Sequence, residues 1–246
     1  MKVPGKIKNC AFVMAALSLA FTACNKNNPT SSTTNATWQT VFSDDFNRAD
    51  GSVGVNYSVQ WYGGGATSIL SNRVRVAGGT NYAIRYLTGV ANQVVKVSVK
   101  CTTTMAPLGG YGLGVTVKSR SLGDTTWMNQ EMYSGYVWLI AIPASNYTPA
   151  LPDSSAGIFR VSGIGLPTPL ASQSCVIKKG GAYLIELIAD KNVLTLVVTD
   201  LATNSPQTVT VTDAGPALAG TIVSLNGMQT DGDTTYFDDF KIEKYE

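Results

Sequence analysis

The amino-acid sequence predicts an all-β domain built as a sandwich of two antiparallel sheets. Short runs rich in valine, isoleucine, threonine and tyrosine recur from Trp38 onward, separated by glycine clusters at 63–65, 79–80, 109–110 and 180–181. The apolar residues show no sustained period of about 3.6 residues, the spacing typical of helices. All-β domains often reach about 200 residues undivided. We therefore expect residues 39–246 to form a single sandwich.

Fourteen segments are predicted as strands, because each combines β-branched or aromatic residues with flanking turn residues. They are 39–46, 57–62, 67–76, 81–88, 93–101, 111–118, 130–142, 156–162, 172–178, 182–190, 193–199, 206–212, 219–225 and 235–244. The clearest hairpin runs from Tyr183 to Thr199 and turns at Asp190-Lys191-Asn192. These turn residues tolerate the backbone conformations that a tight connection requires.

The N-terminal residues precede the predicted domain and have a different character. In residues 1–23, three lysines come before an apolar run that ends at Phe21, and small residues follow it. This is the pattern of a secretory signal peptide, and the run is too short for a permanent membrane-spanning helix. Residues 24–38 are mostly polar, so they are predicted to form a disordered tether.

Cys24 lies directly after the small residues Thr22 and Ala23. This arrangement resembles the lipobox of bacterial lipoproteins, in which the cysteine is acylated and becomes the new N-terminus. Asn25 resembles the residue that follows the cysteine in lipoproteins sorted to the outer membrane of many Gram-negative bacteria. The resemblance implies a cell-envelope protein whose contact with the membrane is its lipid anchor only. The alternative is an ordinary secretory cleavage site followed by a chance cysteine.

Composition excludes several classes of function. Without the three lysines of the signal peptide, 15 basic side chains face 16 acidic ones, so no basic surface predicts a nucleic-acid partner. The chain contains no histidine. It therefore lacks the residue that serves most often as general base and that completes serine and cysteine triads.

The two ends of the predicted domain repeat one short motif, Ser43-Asp44-Asp45-Phe46 and Phe237-Asp238-Asp239-Phe240. We expect the end strands that carry these motifs to pair. The segment from Phe42 to Gly54, the central hairpin and the segment Tyr236–Phe240 are similar to the concanavalin A-like lectin/glucanase (laminin G-like) jelly rolls of bacterial surface proteins. The resemblance implies a jelly-roll sandwich. Its superfamily includes lectins, carbohydrate-binding modules, glycosidases and structural domains, so the motifs indicate the fold more than the function.

Alternation along the end strands predicts that Asp44 faces the core with Phe42 and Phe46, and Asp238 with Phe240. A buried carboxylate needs a partner, which is a backbone amide, an arginine such as Arg48, or a metal ion. The resemblance favours a structural calcium ion, and carboxylate oxygens suit it. The candidate ligands are Asp44, Asp50, Asp231, Asp233 and Asp238. The alternative is that these carboxylates bind backbone groups at strand ends and turns.

Two cysteines lie within the predicted domain, Cys101 and Cys175. An exported protein meets an oxidising compartment, where these two residues would form a disulfide. The alternative is a pair of buried free thiols.

Aromatic residues cluster between positions 127 and 138, and sugar rings stack on such side chains. The candidate glycan-binding residues are Trp127, Tyr133, Tyr136 and Trp138. A central strand buried on both faces would have the same composition, so core packing is the alternative.

The predicted function is therefore a lipid-anchored, non-catalytic carbohydrate-binding or adhesive module whose partner is a polysaccharide or glycan. One alternative is a glycoside hydrolase, which needs two carboxylates at a suitable separation. The glucanases of the resembled superfamily carry a Glu-x-Asp-x-x-Glu strand, and this pattern does not occur in the sequence, where Glu131 and Glu186 each stand alone on a predicted strand. A structural envelope protein without a sugar ligand is the other alternative.

Overall fold

Branched residues dominate the segments that form strands, because such side chains fit the pleated surface of a sheet. The computed structural model describes residues 36–62, 66–86, 90, 92–104, 112–121, 133–140, 155–162, 168–174, 178 and 180–246. Within these ranges the chain forms thirteen strands in antiparallel pairs, which confirms the predicted class. They are β1 (Trp38–Asp44), β2 (Ser58–Tyr62), β3 (Ala66–Ile69), β4 (Val74–Tyr86), β5 (Val94–Thr103), β6 (Gly112–Ser121), β7 (Tyr133–Ile140), β8 (Ser155–Ser162), β9 (Thr168–Ser174), β10 (Ala182–Asp190), β11 (Val193–Asp200), β12 (Ser205–Thr212) and β13 (Ile222–Tyr245).

The strands form two layers that share the long strands β4 and β13. One layer runs β12-β11-β10-β5 and ends at the C-terminal half of β13, where β1, β3 and the start of β4 join it. The other layer runs β9-β8-β7-β6 to the N-terminal half of β13 and continues into β4 and β2. The pairing of β4 with β13 shifts register between Gln229 and Thr234, where both strands pass from one layer to the other. The layers pack face to face, with β12 against β9 and β11 against β8.

The core lies between the layers and is built from alternate residues of each strand. In β10 and β11, Ile185, Leu187 and Leu196 have no exposed surface, while their neighbours in sequence are partly exposed. Burying one such aliphatic side chain contributes about 1.5–3 kcal/mol to stability. The period of two residues therefore fixes which face of each strand is inside.

The predicted hairpin is confirmed. In β10 and β11, Asp190 pairs with Val193, so Lys191 and Asn192 form a two-residue turn. Lys191 has a left-handed φ of +53°, which the turn of such a hairpin requires.

Several predicted strand boundaries differ from the observed ones, and some segments are divided or joined differently. The segment predicted as one strand over 67–76 is β3 and the start of β4, joined by a turn in which Ser71 and Asn72 have φ values of +53° and +58°. Conversely, the segments 219–225 and 235–244 belong to the single strand β13, because pairing resumes with β4 on both sides of the register shift. Local propensity could not reveal this continuity, since it depends on partners distant in sequence.

The predicted pairing of the end strands is also confirmed. β1 and β13 are antiparallel neighbours, with Phe42 opposite Ile242 and Asp44 opposite Phe240. The indole of Trp38, one residue before the predicted start of the domain, packs on Tyr245 with ring centroids 5.3 Å apart. The two ends of the domain therefore leave from the same region.

The prediction that Asp238 faces the core beside Phe240 is wrong. The pairing of β13 with β5 shifts register between Asp238 and Lys241, and Asp239 has a left-handed φ of +47°. This bulge lets both Phe237 and Phe240 enter the core, at 0% and 1% exposure, although they are three residues apart. Asp238 stays half-buried outside that row. In the part of the chain that the structure describes, no helix has the length and apolar character that crossing a membrane requires.

Candidate carbohydrate-binding surface and acidic cluster

The carboxylate of Asp44 is the centre of a hydrogen-bond network at the end of β1. Its Oδ1 accepts hydrogen bonds from Arg48 Nη1 and from the backbone N–H of Phe46, both at 2.8 Å. Its Oδ2 accepts from Arg48 Nη2 at 3.0 Å and from the Tyr57 hydroxyl at 3.1 Å. Both oxygens therefore have two protein donors each. Arg48 and a backbone N–H are the two kinds of partner that the sequence analysis gave as alternatives to a metal ion.

Electrostatics agree with this geometry. Burial alone raises the pKa of Asp44, but the hydrogen bonds from Arg48, the Phe46 N–H and Tyr57, together with the charge of Arg48, hold it below the ordinary value of 3.8. Arg48 Nη2 also donates to the carbonyl of Val53 at 2.8 Å. The network thereby holds the segment between β1 and β2 against the sandwich.

Of the other predicted calcium ligands, Asp50 and Asp238 do not join Asp44 in a cage. Asp50 accepts a hydrogen bond from the backbone N–H of Ser71 at 2.8 Å. Burial raises the pKa of Asp238, and the hydrogen bond from the Asp239 N–H offsets this only in part. Asp231 and Asp233 lie in β13, and their side chains are outside the described residues. Among the residues that the structure describes, no group of three or more acidic, cysteine or histidine side chains could hold a metal ion. The described carboxylates therefore do not fit a calcium site.

The register of β7 gives the strand partners of two predicted glycan-binding residues. Tyr136 and Trp138 stand opposite Arg160 and Ile158 of β8. Both Ile158 and its neighbour Phe159 are buried, at 0% and 1% exposure, so burial in β8 is the same for either face of the strand. The glycan-binding role of Tyr136 and Trp138 stays a prediction.

Tyr133, at the start of β7, stands opposite Ser121 of β6. Trp127 lies outside the described residues. The stacking of these aromatic residues on a sugar therefore stays a prediction for all four of them.

Cys101 is buried in β5 at 2% exposure, and burial raises the pKa of its thiol far above the ordinary value. Its predicted partner Cys175 lies outside the described residues. The disulfide stays a prediction.

A polar cleft of about 200 Å³, which the sequence did not predict, lies where β10, β11 and β12 reach the end of the sandwich. Its floor is formed by Tyr183 and Val198. Its polar lining residues are Lys178, Asp200, Thr203, Ser205 and Gln207. The signal in the sequence is slight: Gln207 occupies the inward position of a strand whose next inward residue is Val209.

No protein-family model and no curated protein sequence matches the chain. Solved structures do share its fold. A winged bean acidic lectin complexed with methyl-α-D-galactose matches with a TM-score of 0.58 at 11% identity, over 86% of this chain and 99% of the lectin. Lectin II from Ulex europaeus matches with a TM-score of 0.56 at 13% identity, over 84% of this chain and 99% of the lectin.

The exoplasmic/lumenal domain of VIP36, in its Ca²⁺/Man3GlcNAc-bound form, matches with a TM-score of 0.56 at 13% identity. The match covers 76% of this chain and 83% of that domain. At such identities the likeness establishes the fold, which is the concanavalin A-like lectin sandwich.

Proposed function

We propose that this chain is a non-catalytic glycan-binding module held at the cell envelope by a lipid on Cys24. The observation that carries the proposal is the sandwich itself. It is shared over 99% of a lectin that was solved with methyl-α-D-galactose and over 83% of a domain that was solved with Man3GlcNAc.

A cluster of aromatic residues in the sequence supports the binding role. Trp127, Tyr133, Tyr136 and Trp138 lie between positions 127 and 138. Aromatic rings present an apolar face with a polar edge, which suits the alternating C–H and hydroxyl groups of a sugar. We propose that residues of this cluster stack on the sugar, and Trp127 and Tyr133 are the first two to be tested.

Anchoring is the second part of the proposal. The signal-peptide pattern, the small residues before Cys24 and the polar segment 25–37 support acylation of Cys24. A single lipid chain binds a membrane weakly, and two or more give stable attachment. The lipid on Cys24 and the predicted tether that follows it would then hold the glycan-binding sandwich at the outer membrane.

The proposal does not depend on a metal ion. The VIP36 domain was solved in a Ca²⁺-bound form, but the described carboxylates Asp44 and Asp50 of this chain have protein donors instead. We therefore place no calcium ion at Asp44 or Asp50. Asp231 and Asp233 are the residues on which a calcium site would still depend.

A glycan array tests the proposal. We expect the full chain, solubilised in detergent, to bind a defined subset of glycans, and Trp127→Ala or Tyr133→Ala to weaken that binding by about tenfold, since one stacked ring contributes about 1–1.5 kcal/mol. Phe42→Leu, which changes an aromatic residue packed at the end strands, is the matched control and should leave binding unchanged. An array without any bound glycan would contradict the proposal.

A further inference from the structure

We infer that the polar cleft between β10, β11 and β12 binds one saccharide unit through its hydroxyl groups. The inference rests on the proposed function for the class of ligand, and it adds a site that lies away from β7. Five polar side chains and a buried tyrosine line the cleft. Three features of the cleft support saccharide binding: the place of Gln207 in the fold, the hydrogen-bonding groups and the size.

Gln207 occupies a position where an apolar residue is expected. The antiparallel register puts Ile185, Val198 and Gln207 in one row across β10, β11 and β12. Ile185 and Val198 are buried at 0% and 2% exposure. Opposed residues share a face, so the glutamine extends the core row at the edge strand.

The carbonyl oxygen of Gln207 is buried, and no donor among the residues that the structure describes reaches it. A buried acceptor without a donor costs about 1–3 kcal/mol. Leucine or valine in the same row would avoid this cost. The next inward position of β12 does hold such a residue, the buried Val209. Gln207 also lines the cleft, so a rotation of its amide that turns Oε1 toward the cleft would let a ligand hydroxyl donate to it and would recover this cost.

The other lining groups can both donate hydrogen bonds to a ligand hydroxyl and accept them from it. The ammonium of Lys178 donates, the hydroxyls of Thr203 and Ser205 donate or accept, and the carboxylate of Asp200 accepts. Oδ1 of Asp200 is already bonded by the Ala202 N–H at 2.8 Å, which orients the carboxylate. A sugar hydroxyl both donates and accepts, so it matches this mixed set better than a purely anionic or cationic ligand does.

The floor of the cleft is held rigidly. The Tyr183 hydroxyl accepts a hydrogen bond from the Lys178 N–H at 2.7 Å, and the tyrosine lies so close to Gly181 that a Cβ there would be 2.5 Å from the hydroxyl oxygen. Pockets for drug-sized ligands measure about 300–1,000 Å³. At about 200 Å³, the cleft suits a single ring, and a site formed in advance loses little entropy on binding.

The test uses the full chain and a panel of free monosaccharides: galactose, mannose, glucose, N-acetylglucosamine and glucuronic acid. We expect at least one of them to shift the amide NMR resonances of Ala202, Ser205 and Gln207 in a saturable way. Gln207→Leu should weaken that binding about tenfold, the effect of losing one hydrogen bond to a buried acceptor. The same variant should keep or raise the melting temperature, because it removes an unpaired acceptor from the core row.

Two further variants make the result decisive. Ser205→Ala alters an exposed lining residue without touching the core and should also weaken binding. Gln39→Leu makes the same chemical change as Gln207→Leu at an exposed site on β1 and should have no effect.

Cleft amides that no sugar shifts, or wild-type affinity in both Gln207→Leu and Ser205→Ala, would overturn the inference. If the array gives bound glycans but no sugar shifts the cleft amides, the proposed function stands and the cleft inference fails. If the cleft amides shift but the array shows no bound glycan, the cleft inference stands and the proposed glycan-binding function fails.

Discussion

The guanidinium of Arg48 and the carboxylate of Asp44 form a two-pronged ion pair, with Nη1–Oδ1 at 2.8 Å and Nη2–Oδ2 at 3.0 Å. The same arginine donates to the Val53 carbonyl, and the same carboxylate accepts from Tyr57. The pair therefore joins the end of β1 to the segment that leads into β2. Two-pronged pairs of this kind are among the stronger hydrogen-bonded contacts in proteins.

Removing this carboxylate should destabilise the domain. Asp44→Ala removes one acceptor shared by Arg48, the Phe46 N–H and Tyr57, so we expect the free energy of unfolding to fall by about 2–3 kcal/mol in urea titrations. Asp45→Ala is the control, since Asp45 is exposed and accepts one hydrogen bond from the Asn47 N–H at 3.1 Å. It should change stability by less than about 0.5 kcal/mol. Equal effects of the two variants would contradict the role of Asp44.

Chelator distinguishes protein donors from a metal at Asp44. Because protein groups already occupy both of its oxygens, we expect Asp44→Asn to lower the melting temperature by the same amount in buffer with added calcium and in buffer with excess EDTA. A loss that appears only when calcium is present would mean that Asp44 binds calcium after all. Calorimetric calcium uptake by the wild type that Asp231→Asn abolishes would instead locate a site at the middle of β13.

Stability should decline in acid. Glu243 is buried between Lys96 and Lys241, at 2.7 Å from each ammonium. Burial alone raises its pKa, but these lysines lower it below the ordinary value of 4.5, as Arg48 and its neighbours lower that of Asp44 below 3.8. A carboxylate whose pKa is lower in the folded state stabilises above its unfolded pKa and loses that contribution as pH falls through the folded one.

We therefore expect the free energy of unfolding to fall below about pH 4. Urea titrations at successive pH values measure it, and Asp44→Asn should flatten the decline. Asp238 acts in the opposite sense, because its pKa is raised on folding, so Asp238→Asn should make the decline steeper. A stability that is constant from neutral pH down to pH 2 would contradict this account.

The last strand should be indispensable. Removal of residues 235–246 takes the segment of β13 that pairs with both β5 and β1, and it also removes the buried Phe237 and Phe240. The truncated chain should be unfolded by circular dichroism, since two sheet edges and a core face become exposed. Removing only Glu246 is the control and should leave the melting temperature nearly unchanged. A folded truncated chain with the wild-type melting temperature would refute the role of this pairing.

Cys24→Ala should move the protein from the membrane fraction to the soluble one, because it removes the residue that is proposed to carry the lipid. Mass spectrometry of the wild type should show an acylated N-terminal cysteine. Cys101→Ala is a control that changes a buried cysteine of the sandwich and should leave the distribution between fractions unaltered. A wild-type protein that is soluble and unacylated would contradict the anchoring.

The sequence predicted the sandwich and its closure well, because both depend on patterns that are local or repeated. The paired Asp-Asp-Phe motifs indicated that β1 and β13 are neighbours, and the turn residues marked the β10–β11 hairpin. Local and repeated sequence patterns could not predict the bulge at Asp239. Strict alternation assigned Asp238 to the core, whereas the left-handed Asp239 resets the alternation.

The candidate sites were less predictable, because they depend on register between strands that are distant in sequence. Tyr136 and Trp138 have a composition that fits both a binding surface and a core strand, and their position opposite Arg160 and Ile158 depends on a register that the sequence does not show. Gln207 looks like one of several polar residues in a threonine-rich strand. Its significance comes from the buried Ile185 and Val198 beside it.

The most direct test of the central claim combines calorimetry and product analysis on one sample. The glycan that binds best on the array is titrated into the full chain, and the recovered glycan is analysed by chromatography after long incubation. We predict saturable binding with an intact glycan and no shortened products. Absence of binding heat would contradict the glycan-binding role, and cleavage of the glycan would show that the module is an enzyme.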